Sequence, residues 1–160
     1  MGVLRYAIAL VSLVLLHVVG PGPERGHAAS RTLVVFVSRE SPLREVSRAE
    51  LRNLFLRHSS MIGPHTAIPV HQQPTAAARD KFDAAVLSMS EAELGRYWVD
   101  RRVRGESGPP RAIASLAVLL RVVAKLPGAV AYAYANEVDA TVRVLRIDGK
   151  DPRDPSYPLH

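Results

Sequence analysis

The chain of 160 residues contains no cysteine. That absence excludes disulfides, thiolate chemistry and lipid anchoring through an N-terminal cysteine, so core burial alone must hold the fold together. Metal-binding patterns are missing as well. Beyond residue 29 the histidines are His58, His65, His71 and His160, with neither an HxH pair nor an HExxH motif, so no metal site and no cofactor is expected. Ser59 and Ser60 beside His58 lack the G-x-S-x-G surround of a nucleophile elbow. Gly20, Gly22 and Gly26 precede no Lys-Ser or Lys-Thr pair that would complete a phosphate loop. No constellation for a hydrolase or transferase is left, and the chain reads as a non-enzyme. Internal repeats are absent, and past residue 19 no apolar run approaches the about 20 residues that a membrane span requires.

What is present begins with the first 29 residues. "MGVLR" carries a positive charge, residues 6–19 are an apolar run short for a span, and "GPGPERGHAAS" is rich in breakers and ends in small residues. This is the layout of a secretory signal peptide, residues 1–29, cleaved after Ala28 or Ala29, which places the mature chain in the periplasm or outside the cell. About 130 residues remain, enough for one domain with its own core. Residues 30–148 are read as one α/β domain, and residues 149–160, with three prolines and no apolar period, as a flexible tail. The net charge is +6, most of it from arginine, and the excess persists once Arg5, Arg25 and Glu24 leave with the signal. Such a surface suits an anionic ligand, an anionic membrane or an acidic partner, or is simply solvated; export argues against nucleic acid.

Along the mature chain, residues 31–38 form a continuous β-branched apolar run, the pattern of a buried strand. Ser47 then opens a helix with full start signals: its hydroxyl can cap the first free amides, Glu50 can reach back to its amide, and Val46 can pack on Leu51. Leu51, Leu54 and Phe55 make the apolar stripe of that helix. Residues 66–73 predict a second strand, in which Pro69 argues for an edge or a short segment. Pro74 and Thr75 open another helix, with Phe82, Ala85, Val86 and Met89 on one face. A second capping box, Ser90 with Glu93, starts a helix whose stripe is Leu94, Tyr97 and Trp98. Residues 103–111 read as a loop. Ser115 caps a helix stopped by Pro127 and Gly128, and strands follow over residues 128–135 and 140–148. Strands alternating with helices argue for an α/β sandwich around a mainly parallel sheet.

The best candidate for a site lies where the strand ending at Val70 passes through "HQQPT" into the helix near Thr75. Free N–H groups at a helix start attract anions. His71, Gln72, Gln73 and the Thr75 hydroxyl are suitable partners, and Arg79, one turn into the helix, can supply charge. A plainer reading makes Thr75 an N-cap and Arg79 a solvated side chain. The cluster "DRRVRGES", residues 100–107, is a second basic locus or a solvated helix end whose arginines complement the dipole.

In order, "LVVFVSRESPLREVSRAELRNLFL", "IPVHQQP", "ARDKF", "VLSMSEAELGRYW", a "GPPR" loop and "LPGAVAYAYANEVDATVRVL" resemble the small phosphate-transporter substrate-binding-like proteins. These are short exported relatives of the type II periplasmic binding proteins. Their pattern has an apolar strand, a Ser-x-x-x-Leu-x-x-Ile-Phe-x-Gly helix and a closing Pro-Gly-Ala-Ile-Gly-Tyr strand. The resemblance covers residues 32–147. It implies a single lobe of the type II periplasmic binding protein-like fold, a mainly parallel or mixed sheet flanked by helices. On that lobe the helix at 47–56 packs on the sheet, so its stripe is core. The implied function is binding of phosphate or a related oxyanion in phosphate transport or sensing. The alternative is a ligand-free periplasmic module that contacts a membrane sensor, porin or transporter. The chain departs from the pattern in three places. His71 stands near an expected Arg, "PTA" at 74–76 falls near an expected Ser-Gly-Thr, and Ala131 replaces a Gly. One lobe also carries half a cleft, which another chain, such as a second copy in a homodimer, would have to complete. Binding is therefore expected to be weak and open to solvent.

Overall fold

The computed structural model describes residues 32–160; the expected signal at 1–29 lies outside the described residues. Strand β1 (Leu33–Ser38) is buried along its whole length, as its unbroken apolar run requires. It lies between β7 (Ala129–Tyr134) and β8 (Val142–Val144), antiparallel to both. Beyond β7 come β5 (Ile68–Gln72) and β6 (Arg111–Ile113), each parallel to its neighbour, so the five-stranded order is β6-β5-β7-β1-β8. All strands of this sheet but β1 therefore run the same way. This is a mixed α/β sheet with helices on both faces.

Alternation along the strands sorts the core into two layers. Leu33, Val35 and Val37 of β1 share one face with Val130 and Tyr132 of β7. That face is covered by α1 (Arg48–Phe55), by α2 (Ala77–Phe82) with the π-helical turn Asp83–Leu87, and by α3 (Glu91–Val103). Phe36 and the three small residues Ala129, Ala131 and Ala133 make the other face, beneath Leu119, Leu120 and Val123 of α4 (Leu116–Lys125). Alanine at alternate β7 positions lets α4 come close, and Ser38 Oγ donates to the Ala124 carbonyl at 3.0 Å. Both capping boxes form as read: Ser47 with Glu50, and Ser90 with Glu93. Among the described residues no helix is long and apolar enough to cross a membrane.

The structure departs from the sequence reading at several places. Pro69 is inside the sheet rather than at its edge. The Ile68 amide binds Gly128 at 2.8 Å, so the nitrogen of Pro69 faces the opposite side, where β6 pairing begins only at Val70. Residues 140–148 are broken at Leu145: β8 pairs with β1, while β9 (Arg146–Ile147) turns to pair in parallel with β2 (Glu45–Val46). The loop read at 103–111 forms over 104–110 and leads into β6, which the sequence reading lacked, and residues 61–66 add a hairpin of β3 (Met61–Ile62) and β4 (His65–Thr66). The segment 149–160 is packed instead of loose. Tyr157 and Leu159 are 3% and 1% exposed, and the Leu33 amide donates to the Leu159 carbonyl at 2.9 Å.

Candidate oxyanion site

Strand β5 ends by turning His71 and Gln72 into the protein. His71 is 1% exposed and its Nδ1 lies 2.9 Å from the Tyr132 hydroxyl. Its ring sits against Phe55, with centroids 4.9 Å apart. Burial, helped by the nearby Arg79 charge, pushes the imidazole pKa down to about 2, so His71 is neutral and brings no charge to the turn above it. Gln72 Nε2 donates to the Tyr132 carbonyl at 2.9 Å. Tyr132 itself is stacked face to face on Phe82, with centroids 3.8 Å apart, and burial keeps its phenol protonated. His71 and Gln72 thus form a floor locked onto β7 rather than groups reaching for a ligand.

Above that floor the chain turns through Gln73 to Ala76, the Ala76 amide closing on the Gln73 carbonyl at 3.1 Å. The helix begins at Ala77 with Ala76 as N-cap, and no side chain caps it. Thr75, expected to open the helix, stands outside it and is exposed. The start of α2 therefore keeps amides that no side chain satisfies. Arg79 folds back over the turn: Nη1 donates to the Gln72 carbonyl at 3.2 Å and Nε to Asp83 Oδ2 at 2.6 Å. Both side chains of this ion pair are largely buried, 14% and 13% exposed. Burial raises the Asp83 carboxyl above its ordinary value, and the hydrogen bond and charge of Arg79 offset this only in part. Asp83 Oδ1 is buried without a partner. Asp83 and Tyr132 are the site residues that sequence reasoning missed; the four-residue spacing of Arg79 and Asp83 was the available signal for the first.

A cleft of ≈ 420 Å³ opens beside this pair, with Arg79, Asp80 and Asp83 on one wall and Ser90, Glu91 and Trp98 on the other. Its carboxylates, from Asp80, Asp83 and Glu91, outnumber its one guanidinium, so the cleft itself does not favour an anion. The second basic locus is paired internally at Arg101 and Arg104, while Arg102 is exposed. Arg101, 8% exposed, pairs with Glu106 at 3.0 Å and lies over the rings of Tyr97 and Trp98, while Arg104 pairs with Asp100 at 2.6 Å and Glu106 at 2.7 Å.

This sheet order, with one reversed strand and helices on both faces, is the fold of a substrate-binding-protein-like lobe. Solved structures carry it. An ABC-type phosphate transport receptor from Vibrio cholerae matches with a TM-score of 0.60 and 14% identity, over 76% of this chain and 48% of that one. A phosphate ABC transporter substrate-binding protein with bound phosphate, from Clostridium perfringens, matches at 0.61 and 12%, over 76% and 46%. PstS from Borrelia burgdorferi matches at 0.58 and 10%, over 80% and 53%. The chain thus spans about half the length of these structures. No family model and no curated protein matches the sequence.

Proposed function

We propose that this chain is an exported, non-catalytic lobe that holds phosphate or a related oxyanion weakly at the β5–α2 turn. The observation that supports it is Arg79 folded over a helix start that no side chain caps, with the Thr75 hydroxyl exposed beside it. His71 and Gln72 serve as the buried floor that holds the turn. Two of the similar solved proteins are described as phosphate receptor and phosphate-bound binding protein, which favours the same ligand class here. Weakness follows from Asp83, whose carboxylate competes with the anion for Arg79, and from the single lobe. A transporter of the same ligand, or a second copy completing the cleft, is the partner this reading implies.

The test is thermal unfolding of the purified protein with phosphate, sulfate and chloride titrated at matched ionic strength. Ligand that binds only the folded form stabilises it by about 2.7 kcal/mol at a hundredfold excess over the dissociation constant. A phosphate-specific rise that disappears in Arg79→Ala is the expected result; no specific rise at millimolar phosphate refutes the reading.

A second reading, a ligand-free module that contacts a membrane sensor, porin or transporter, is favoured by the outer face of α3, where Val99 and Val103 are 63% and 82% exposed. Under it, Val99→Asp with Val103→Asp abolishes capture of an envelope partner, and Arg79→Ala does not.

A further inference from the structure

Helix α1 ends in an unusual way. Leu56 is its C-cap and Arg57 follows with φ 62°, in the left-handed region. The His58 amide returns to the Asn53 carbonyl at 2.8 Å and the Arg57 amide to the Leu54 carbonyl at 3.1 Å. This closure is normally made by glycine, because a Cβ in that conformation crowds the neighbouring carbonyl. Arginine is therefore held where its backbone is strained. Its guanidinium is exposed and, among the described residues, has no hydrogen-bond or ion-pair partner. A strained backbone carrying an unused charge is a reason to look at what surrounds it.

Arg57 borders a hollow of ≈ 310 Å³ whose rim is His58, Ser59, Ser60 and Ser107, with Ala67 and Pro69 beneath. The wall is braced. His58 Nε2 lies 2.8 Å from the Tyr97 hydroxyl, which donates to the Leu56 carbonyl at 2.7 Å and accepts from Arg101 Nη1 at 3.1 Å. Ser59 Oγ is engaged with Met61, whereas the hydroxyls of Ser60 and Ser107 have no partner among the described residues. The nearby carboxylate, Glu106, is already held by Arg101 and Arg104 at 3.0 and 2.7 Å, which leaves the Arg57 charge uncompensated. The hollow lies at the beginning of β5, whereas the β5–α2 turn lies at its end, so the two places are separate.

We propose that this hollow is a second oxyanion site, in which Arg57 supplies the charge and the Ser60 and Ser107 hydroxyls, with the free face of His58, supply hydrogen bonds to a small tetrahedral anion of the phosphate class. The arrangement pairs one guanidinium with uncommitted hydroxyls over a rigid wall, the donor set such an anion needs. It does not depend on Arg79.

The experiment is a titration of the ¹⁵N-labelled protein with inorganic phosphate against chloride at matched ionic strength, following backbone amides, in the wild type and in Arg57→Gly, Arg57→Asn and Arg57→Lys. Amides of residues 57–60 and 107 are expected to shift saturably. Arg57→Gly and Arg57→Asn, which fit the left-handed conformation without charge, lose that response at least tenfold, and Arg57→Lys restores part of it. Without phosphate, Arg57→Gly unfolds about 3 °C higher because the strain is gone. A loss of binding in a more stable protein cannot be an effect of unfolding. Shifts confined to residues 72–79 overturn this site and leave the β5–α2 reading standing; shifts at 57–60 that persist unchanged in Arg57→Gly also overturn it; no saturable shift anywhere overturns both.

Discussion

Arg79 Nε and Asp83 Oδ2 are 2.6 Å apart, one helical turn from each other, and the second oxygen of that carboxylate is buried without a partner. Arg79, over the β5–α2 turn, is thus already paired with an acid that burial makes reluctant to ionise. An incoming oxyanion meets Asp83 as a competitor when it is charged and as a neighbour able to donate a hydrogen bond when it is protonated. Asp83→Asn removes the competing charge at almost constant shape. Oxyanion affinity is expected to rise about tenfold, the effect of a like charge worth about 1.4 kcal/mol. Sulfate, whose charge is constant across the range, provides the pH arm: wild-type affinity is higher at acidic than at neutral pH, because burial raises the Asp83 carboxyl and favours its protonation, and the Asn variant gives a flatter profile. Calorimetric titration at both pH values checks this. Equal affinities in the two proteins would show that Asp83 does not face the ligand.

His71 governs a separate pH dependence, that of stability. Its folded pKa is depressed to about 2, so as pH falls below about 6.5 the unfolded chain takes up a proton that the folded chain refuses. Stability on this account falls by about 1.4 kcal/mol per pH unit below that point, in full only if the buried ring stays neutral. Asp83 acts with the opposite sign: its folded pKa is raised, so the folded form binds a proton first and gains stability as pH falls through that value. Urea unfolding at pH 7 and pH 5 is expected to show a loss in the wild type that His71→Gln removes. A loss of the same size in that variant would assign the slope to other groups.

Phe82 joins the site to the core. It is fully buried, stacked on Tyr132 at 3.8 Å and tilted against Phe55 at 4.6 Å, at the junction where α2 passes into the π-helical turn. Phe82→Ala leaves a void in the core and removes its ring contacts with Tyr132, Phe55 and His71, which is expected to cost about 3–5 kcal/mol. The denaturant midpoint measures it, and Phe82→Leu, which keeps most of the volume, should recover most of the loss.

Features set by neighbours in sequence were legible before the structure. The Ser47–Glu50 and Ser90–Glu93 boxes are complete within four residues each, so their chemistry is written locally. The buried β1 run and the alanine-rich β7 alternation were equally plain, and the overall order of elements carried the substrate-binding-protein-like fold. Strand β6 was not legible, because three residues with Arg111 and Ala112 exposed have no apolar period, and their pairing depends on where β5 lies. At the site, the positions were visible but the directions were not. Whether His71 points outward or inward is decided by Tyr132, 61 residues later. The helix start moved from Thr75 to Ala77 because the turn closing Ala76 on Gln73 comes first.

The C-terminal segment gives the last test, because its prolines and its burial argue in opposite directions. Prolines with Asp154, which accepts from the Ser156 amide at 2.8 Å, shape a run of tight turns with no helical or strand period. Those turns present Tyr157 and Leu159 to the same core layer as Leu33 and Ile147. The Leu159 carbonyl also takes the Leu33 amide, and Thr32 Oγ1 lies 3.0 Å from His160 Nδ1. Removing residues 157–160 therefore uncovers apolar core and leaves the first amide of the central strand without its acceptor, a penalty of about 1–3 kcal/mol for the amide alone. Leu159→Ala is expected to cost about 2–5 kcal/mol by itself, with the denaturant slope unchanged. A loose tail would give a change within about 0.5 kcal/mol in both variants. Urea unfolding of the two proteins beside the wild type separates these outcomes, and amide exchange at Leu33, fast in the truncated protein and slow in the wild type, shows directly whether the end of the chain closes the start of the sheet.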